Sequence, residues 1–282
     1  MRRLTIFLIF AGLAAIISCG ENEDFDSLAK KGLAAYHKDD YNEAIHLFEK
    51  ALHLKPSDRD MLYNTGSAFF KLDLLDSALV YFHRVNILYP ADYAINKELF
   101  RLCSLTEDYE CALSAVQMMI ANGDNEEMFW IPLADLNFFI GNYKLAKKYY
   151  QQLIDKEPRE GRYRWNLAEC FARLNKPEEA IRVLKEAIAK LGANPVAYSQ
   201  IAVNHITLRE FDQAEIYFRK AIEFDPQNVS LWINLAHTLN EQNSREKKEE
   251  ALAIYKLYYI DTPEMFKLDS LIKVLEVELG QK

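Results

Sequence analysis

The sequence predicts an all-α protein built as a stack of helix-turn-helix units, and three observations carry that expectation. The segments DYNEAIHLFEKALHLKP (Asp40 to Pro56) and EFDQAEIYFRKAIEFDP (Glu210 to Pro226) spell one pattern 170 residues apart, which is five periods of 34. Small residues recur at fixed places within each period. Only 9 Gly and 8 Pro occur in 282 residues, so connections are short and few, and strand-type alternation is scarce. With 50% hydrophobic and 27% charged residues, the chain carries enough apolar material for a buried core.

The first element reads as an address. MRRLTIFLIFAGLAAIISCG opens with Arg2 and Arg3 and continues through an apolar run, Leu4 to Ile17, broken only by Thr5. As a helix this run spans roughly 21 Å, short of the roughly 30 Å hydrocarbon core of a bilayer. Residues 1–18 are therefore expected to be a removable leader. Ile16-Ile17-Ser18-Cys19 resembles the bacterial lipobox, and the resemblance implies cleavage before Cys19, lipid on its thiol and a short linker over 19–24. A thiolate is a good nucleophile for taking up a diacylglyceryl group, and several acyl chains anchor where one does not. Gly20 in place of aspartate, and the acidic run GENEDFD, resemble lipoproteins sent to the outer membrane and, in the Bacteroidota group, to its surface. An ordinary leader in which Cys19 is incidental is the alternative.

Units starting at Phe25, Arg59, Tyr93, Glu127, Gly161, Pro195 and Val229 test the period. The twentieth position is Ala44, Ala78, Ala112, Ala146, Ala180, Ala214 and, after three inserted residues, Ala251. The eighth is Gly32, Gly66, Phe100, Ala134, Ala168, Ala202 and Ala236. Two antiparallel helices that approach closely need small side chains where they cross. Four residues after each alanine, on the same helical face, stand Phe48, Phe82, Val116, Tyr150, Leu184, Phe218 and Tyr255, the expected core. Pro56, Pro90, Pro158, Pro226 and Pro263 end second helices at the thirty-second position.

This period, with Trp130 and Trp232 at the fourth position and Leu133 and Leu235 at the seventh, resembles the tetratricopeptide repeat (TPR) family. The resemblance implies a right-handed α-α superhelix of seven repeats over 25–265. A capping helix is expected over 266–282, where Phe266, Leu268, Leu271, Ile272, Leu275 and Leu279 recur at helical spacing. A partner-binding amphipathic helix is the alternative there.

The third unit departs most from the pattern, with Phe100, Met119 and Asp124 where small residues and proline belong, so irregular packing is expected near residues 93–126. Asn240 to Glu250 lengthens the seventh turn and reads as a solvated loop, or alternatively a docking tip. Cys103, Cys111 and Cys170 read as buried thiols, with a Cys103–Cys111 bridge as the alternative that an oxidising compartment allows.

No catalytic constellation or cofactor motif is expected. The six histidines lack metal-ligand spacing, no Gly-rich phosphate loop is present, and the acids fall on polar helix faces. A net charge of -8 without a basic stripe argues against nucleic acid. The TPR resemblance implies instead a concave groove lined by first helices, which places Tyr63, Asn64, Phe70, Lys97, Arg101, Phe138, Phe139, Trp165, Asn166, Arg173 and Asn234 toward a protein or peptide partner. An amide suits that task because it both donates to and accepts from an extended backbone. The family's clamp for a C-terminal carboxylate, a set of lysines, asparagines and an arginine over three units, is not met: Asn64 is present, but Ala29, Leu33, Ala94 and Glu98 hold other required places. The expected function is an outer-membrane-anchored scaffold, periplasmic or surface-exposed, with lipid at Cys19. The alternatives are a ligand- or glycan-binding lipoprotein, or a regulatory subunit of an envelope enzyme in which His205 and His237 converge on a metal.

Overall fold

The computed structural model describes residues 23–259 and 268–281, and every regular element among them is helical. The leader, Cys19, Pro263 and Phe266 lie outside the described residues. The chain forms two compact units, one ending at Pro90 and one beginning at Ala91.

The first unit holds two hairpins, α1 (Phe25–Tyr36) with α2 (Tyr41–Leu54) and α3 (Arg59–Lys71) with α4 (Leu75–Leu88). The second begins with α5 (Tyr93–Leu105) and α6 (Tyr109–Ala121). Then come α7 (Trp130–Phe139) with α8 (Tyr143–Lys156), and α9 (Gly161–Arg173) with α10 (Pro177–Leu191). It continues through α11 (Pro195–Thr207) with α12 (Phe211–Phe224), and α13 (Val229–Asn240) with α14 (Arg245–Tyr259), and ends in α15 (Leu268–Glu278). Within each unit every helix packs against the next in sequence, and α15 packs on α14. This is a solenoid of consecutive pairs, seven hairpins and a cap among the described residues.

The small-residue rule has a direct geometric cause. All seven alanines of the twentieth position are fully buried, as are the seven core residues four places on. A Cβ built on Gly32 would lie 2.5 Å from the Phe48 ring, and one on Gly66 2.8 Å from the Phe82 ring, so the ring of one helix occupies the space a side chain on the other would need. The same residues that make the core therefore set the interhelical distance.

One turn joins the helices of six hairpins. The fifteenth residue adopts a left-handed backbone: Asp39, Asp73, Glu107, Asn175 and Arg209 at φ of 57 to 61°, and Gly141 at 84°. The following N–H (Asp40, Leu74, Asp108, Asn142, Lys176, Glu210) donates to the carbonyl five residues back (Ala35, Phe69, Cys103, Asn137, Phe171, His205). That closes the last turn of the first helix and aims the second one back along it. Asp24, Asp40, Asp58, Asp92, Asp108 and Asn194 then cap helix N-termini through their side chains.

Two expectations need correction, on the cysteines and on the inserted segment. Cys103 and Cys111 are bridged, closing the α5–α6 turn across a sequence separation of 8, while Cys170 is the buried free thiol, its pKa pushed up to about 12 by burial. In the third hairpin α5 and α6 pack together, with Met119 buried and Phe100 half-buried, and the 3₁₀ turn Glu126–Phe129 that precedes α7 interrupts the run of helices just beyond it. The inserted segment of the seventh repeat is tied down rather than free: Gln242 and Lys247 donate to Glu215 (2.9 and 2.7 Å), and Glu250 accepts from Arg219 Nη2 through both of its oxygens. Arg245 reaches the Leu279 carbonyl and Lys248 the Glu278 carboxylate, so the same segment holds the cap. Burial would raise the Glu215 carboxyl, but bonds from Lys247, Gln242 and Arg219 overrule it and hold it below the ordinary carboxylate range.

Candidate partner-binding surface

Among the described residues the sequence-selected side chains all stand on first helices, half-buried or exposed. In the first unit Tyr63 and Asn64 are half-buried on α3. The Tyr63 ring lies 5.7 Å from Phe82 and under the Arg59 guanidinium at 5.9 Å, so it shares its area between core and surface. In the second unit Lys97 and Arg101 are exposed one turn apart on α5, Arg101 donating through Nε to Glu98 at 3.0 Å.

Phe138 sits in an aromatic group at the hairpin turns, 5.4 Å from Tyr143 and 5.9 Å from Phe139, whose ring stacks on Tyr109 at 4.6 Å and is 58% exposed. Trp165 packs beside Gly161 and lines a 200 Å³ cleft with the α10–α11 connection. Asn234 is half-buried on α13, and nothing ties its side chain to the other candidates.

The best-built part of this face joins α7, α8 and α9. The Tyr150 hydroxyl, from the core position of α8, donates to Asp135 Oδ1 at 2.6 Å. Asn166, half-buried on the next first helix, lies close enough to the same hydroxyl to favour the phenolate, against the other influences on it. Burial, reinforced by Asp135, drives the Tyr150 pKa far above its ordinary value, so the hydroxyl stays a fixed donor. The Asn166 amide beside this pair is able both to donate to and to accept from a bound segment.

A similar pairing recurs three repeats on, where the Tyr255 hydroxyl and His237 Nδ1 share a hydrogen bond of 2.8 Å. Burial holds the His237 pKa below its usual value, against an opposing influence from Glu241. His205 is used separately: its Nδ1 lies 2.6 Å from Glu210 Oε2 and its ring stacks on Tyr217 at 5.5 Å. The two histidines each serve their own hairpin.

Models of the tetratricopeptide repeat match residues 29–92, 132–195, 195–228 and 217–253. The chain is a tetratricopeptide repeat protein. This TPR protein is similar to the Hsp70-Hsp90 organizing protein of Triticum aestivum, 21% identical over an alignment of 253 residues that covers 77% of this chain and 44% of the relative. It is also similar to the human protein O-mannosyl-transferase TMTC3, 24% identical over 236 residues, 78% of this chain and 26% of the relative. The chain thus spans less than half the length of the curated relatives it matches. Among solved structures, a TPR protein from Parabacteroides merdae aligns at TM-score 0.50 and 16% identity, covering 89% of this chain and 98% of that one. The C-terminal part of a TPR protein from Cytophaga hutchinsonii aligns at TM-score 0.54 and 14% identity, covering 86% and 98%. At those identities the likeness concerns the fold.

Sequence reasoning picked Asn166, and Tyr150 as core, but missed the bond between Tyr150 and Asp135 beside that amide. A signal was present. Tyrosine replaces an apolar core residue in only the fourth and seventh TPRs, and both carry a polar ninth residue, Asp135 or His237, for its hydroxyl.

Proposed function

We propose that this TPR protein is a noncovalent scaffold that holds an extended peptide segment or partner face along its first helices, tethered by lipid at Cys19 to the outer membrane. The observation that most supports it is the half-buried Asn166 amide standing beside the Tyr150–Asp135 bond: an amide there can both donate to and accept from an extended backbone. The TPR family binds proteins and peptides in general, which agrees with the reading. No helix among the described residues is long and apolar enough to cross a membrane, so attachment rests on the leader and Cys19. A lipid tether serves to concentrate the module beside its partners. The chaperone partners named for the wheat relative are not carried over, because Ala29, Leu33, Ala94 and Glu98 stand where a carboxylate clamp needs cations or an amide.

The test places a photo-crosslinking amino acid at Trp165 and, as a control, at the exposed Lys220 of α12. Adducts in native membranes are expected from the first site and are expected to fall with Asn166→Ala or Asp135→Ala. Equal yields from both sites would remove the groove reading. Cys19→Ser is expected to abolish fatty-acid labelling and release the protein from membranes; retention of the label would refute the anchor.

A further inference from the structure

Arg164 stands at the fourth position of the fifth hairpin, where the neighbouring hairpins carry Trp130, Tyr198 and Trp232. Trp232 shows the local task, its indole N–H donating to the Pro226 carbonyl at 2.9 Å. Arg164 performs it too, through Nη1 to the Pro158 carbonyl at 2.6 Å. The indole uses its only polar hydrogen in that bond, whereas the guanidinium retains further N–H donors and a full charge. Arg164 is only 7% exposed, and among the described residues that carbonyl is its one hydrogen-bond partner and no carboxylate pairs with it. Buried charges in proteins are normally paired, because an unpaired one is costly to desolvate.

The guanidinium lines a cleft of about 430 Å³ between α8 and α10. Arg182 and Lys190 add positive charge there, and Asp155 and Glu186 negative charge, so cations outnumber carboxylates three to two. Both carboxylates already have partners within the cleft, Asp155 accepting from Gln151 at 3.0 Å and Glu186 from Arg182 at 3.1 Å, so Arg182 is neutralised and neither carboxylate bonds to Arg164. Leu167 and Phe171 supply an apolar wall.

The equivalent seam between α2 and α4, three repeats earlier, has a similar cleft of about 420 Å³. There the fourth position is Leu62, fully buried, and the polar groups satisfy one another, Tyr81 donating to Glu49 at 2.7 Å and Arg84 to the Pro56 carbonyl at 3.1 Å. The seam therefore does not require a buried cation for its packing. Its presence between α8 and α10 points to a ligand.

We infer that this cleft binds a small anion-bearing molecule, its carboxylate or phosphate group on the remaining donors of Arg164, with Lys190 contributing charge and any apolar portion against Leu167 and Phe171. A planar guanidinium matches both kinds of oxyanion. Arg164, Leu167 and Phe171 fall at positions four, seven and eleven of the repeat, on the face of α9 opposite Trp165 and Asn166 at about 100° per residue. The site is thus separate from the proposed groove and holds or fails without it.

The test titrates the purified protein with hexanoate, its neutral analogue hexanamide, and inorganic phosphate, read by calorimetry and by the Nε–H resonance of Arg164. Hexanoate, phosphate or both are expected to shift that resonance, and hexanamide is not. A response to hexanoate alone assigns a carboxylate with an apolar tail, and a response to phosphate assigns a phosphorylated ligand. Arg164→Trp, which restores the residue of the sister repeats and keeps a donor for Pro158, is expected to retain the melting temperature and lose about tenfold or more in affinity. The exposed Lys190→Gln is expected to weaken binding severalfold and serves if the first variant misfolds. No response to either anion, or unchanged affinity in a folded variant, overturns the site.

Discussion

At the scale of single residues, the fold is set by how near two helices can come. Replacing Gly32 by Ala usually favours a helix by up to about 1 kcal/mol. Here the added methyl would meet the buried Phe48 ring at 2.5 Å, an overpacking that costs about 1–3 kcal/mol. Gly32→Ala is therefore expected to lower the unfolding free energy, measured by denaturant titration; a gain would show that the ring yields freely. His237 provides a test of sign. Its folded pKa lies below the unfolded value near 6.5, so its contribution is intact above that pH and is lost as pH falls through the folded pKa. Comparing wild type with His237→Gln between pH 7.5 and 5, the wild type is expected to lose more stability, and parallel curves would contradict the assignment.

At the scale of elements, the hairpin was legible because its constraints are local and periodic. Ala44, Phe48 and Pro56 recur at their spacing because each unit solves the same packing problem. What spacing did not encode were partners brought together by the turn or by neighbouring units. Cys103 and Cys111 meet because Glu107 adopts a left-handed backbone, and nothing in an eight-residue separation requires it. Lys247 and Gln242 looked solvated because their acceptor, Glu215, lies about one repeat earlier. Asp135 and Tyr150 were separable as a surface acid and a core ring until the hairpin placed them 2.6 Å apart. Five hairpins without a bridge form the same turn, so the disulfide holds the third hairpin without shaping it. Cys103→Ser with Cys111→Ser is expected to keep the helical circular dichroism while costing about 2–3 kcal/mol, a typical value for a short closed loop. Loss of helicity would mean the bridge is needed to form the turn.

At the scale of the whole molecule, the architecture followed from repetition, while the ligands did not, because they depend on the residues that break it. Arg164 in place of a tryptophan and Tyr150 in place of an apolar knob are departures from a consensus, and a search for the consensus passes over them. The shared turn leads to something further. Left-handed geometry disfavours ordinary side chains by roughly 1–2 kcal/mol, less for Asp and Asn, and glycine relieves most of it. Arg209→Gly is expected to raise the unfolding free energy by about 0.5–1 kcal/mol, net of the entropy glycine adds to the unfolded chain, whereas Asp39→Gly is expected to change it little; thermal melts distinguish the two. Neither Arg209 nor Asp39 lines the cleft of Arg164, so each of these turns is a place where the stability of its own hairpin can be adjusted without altering that site.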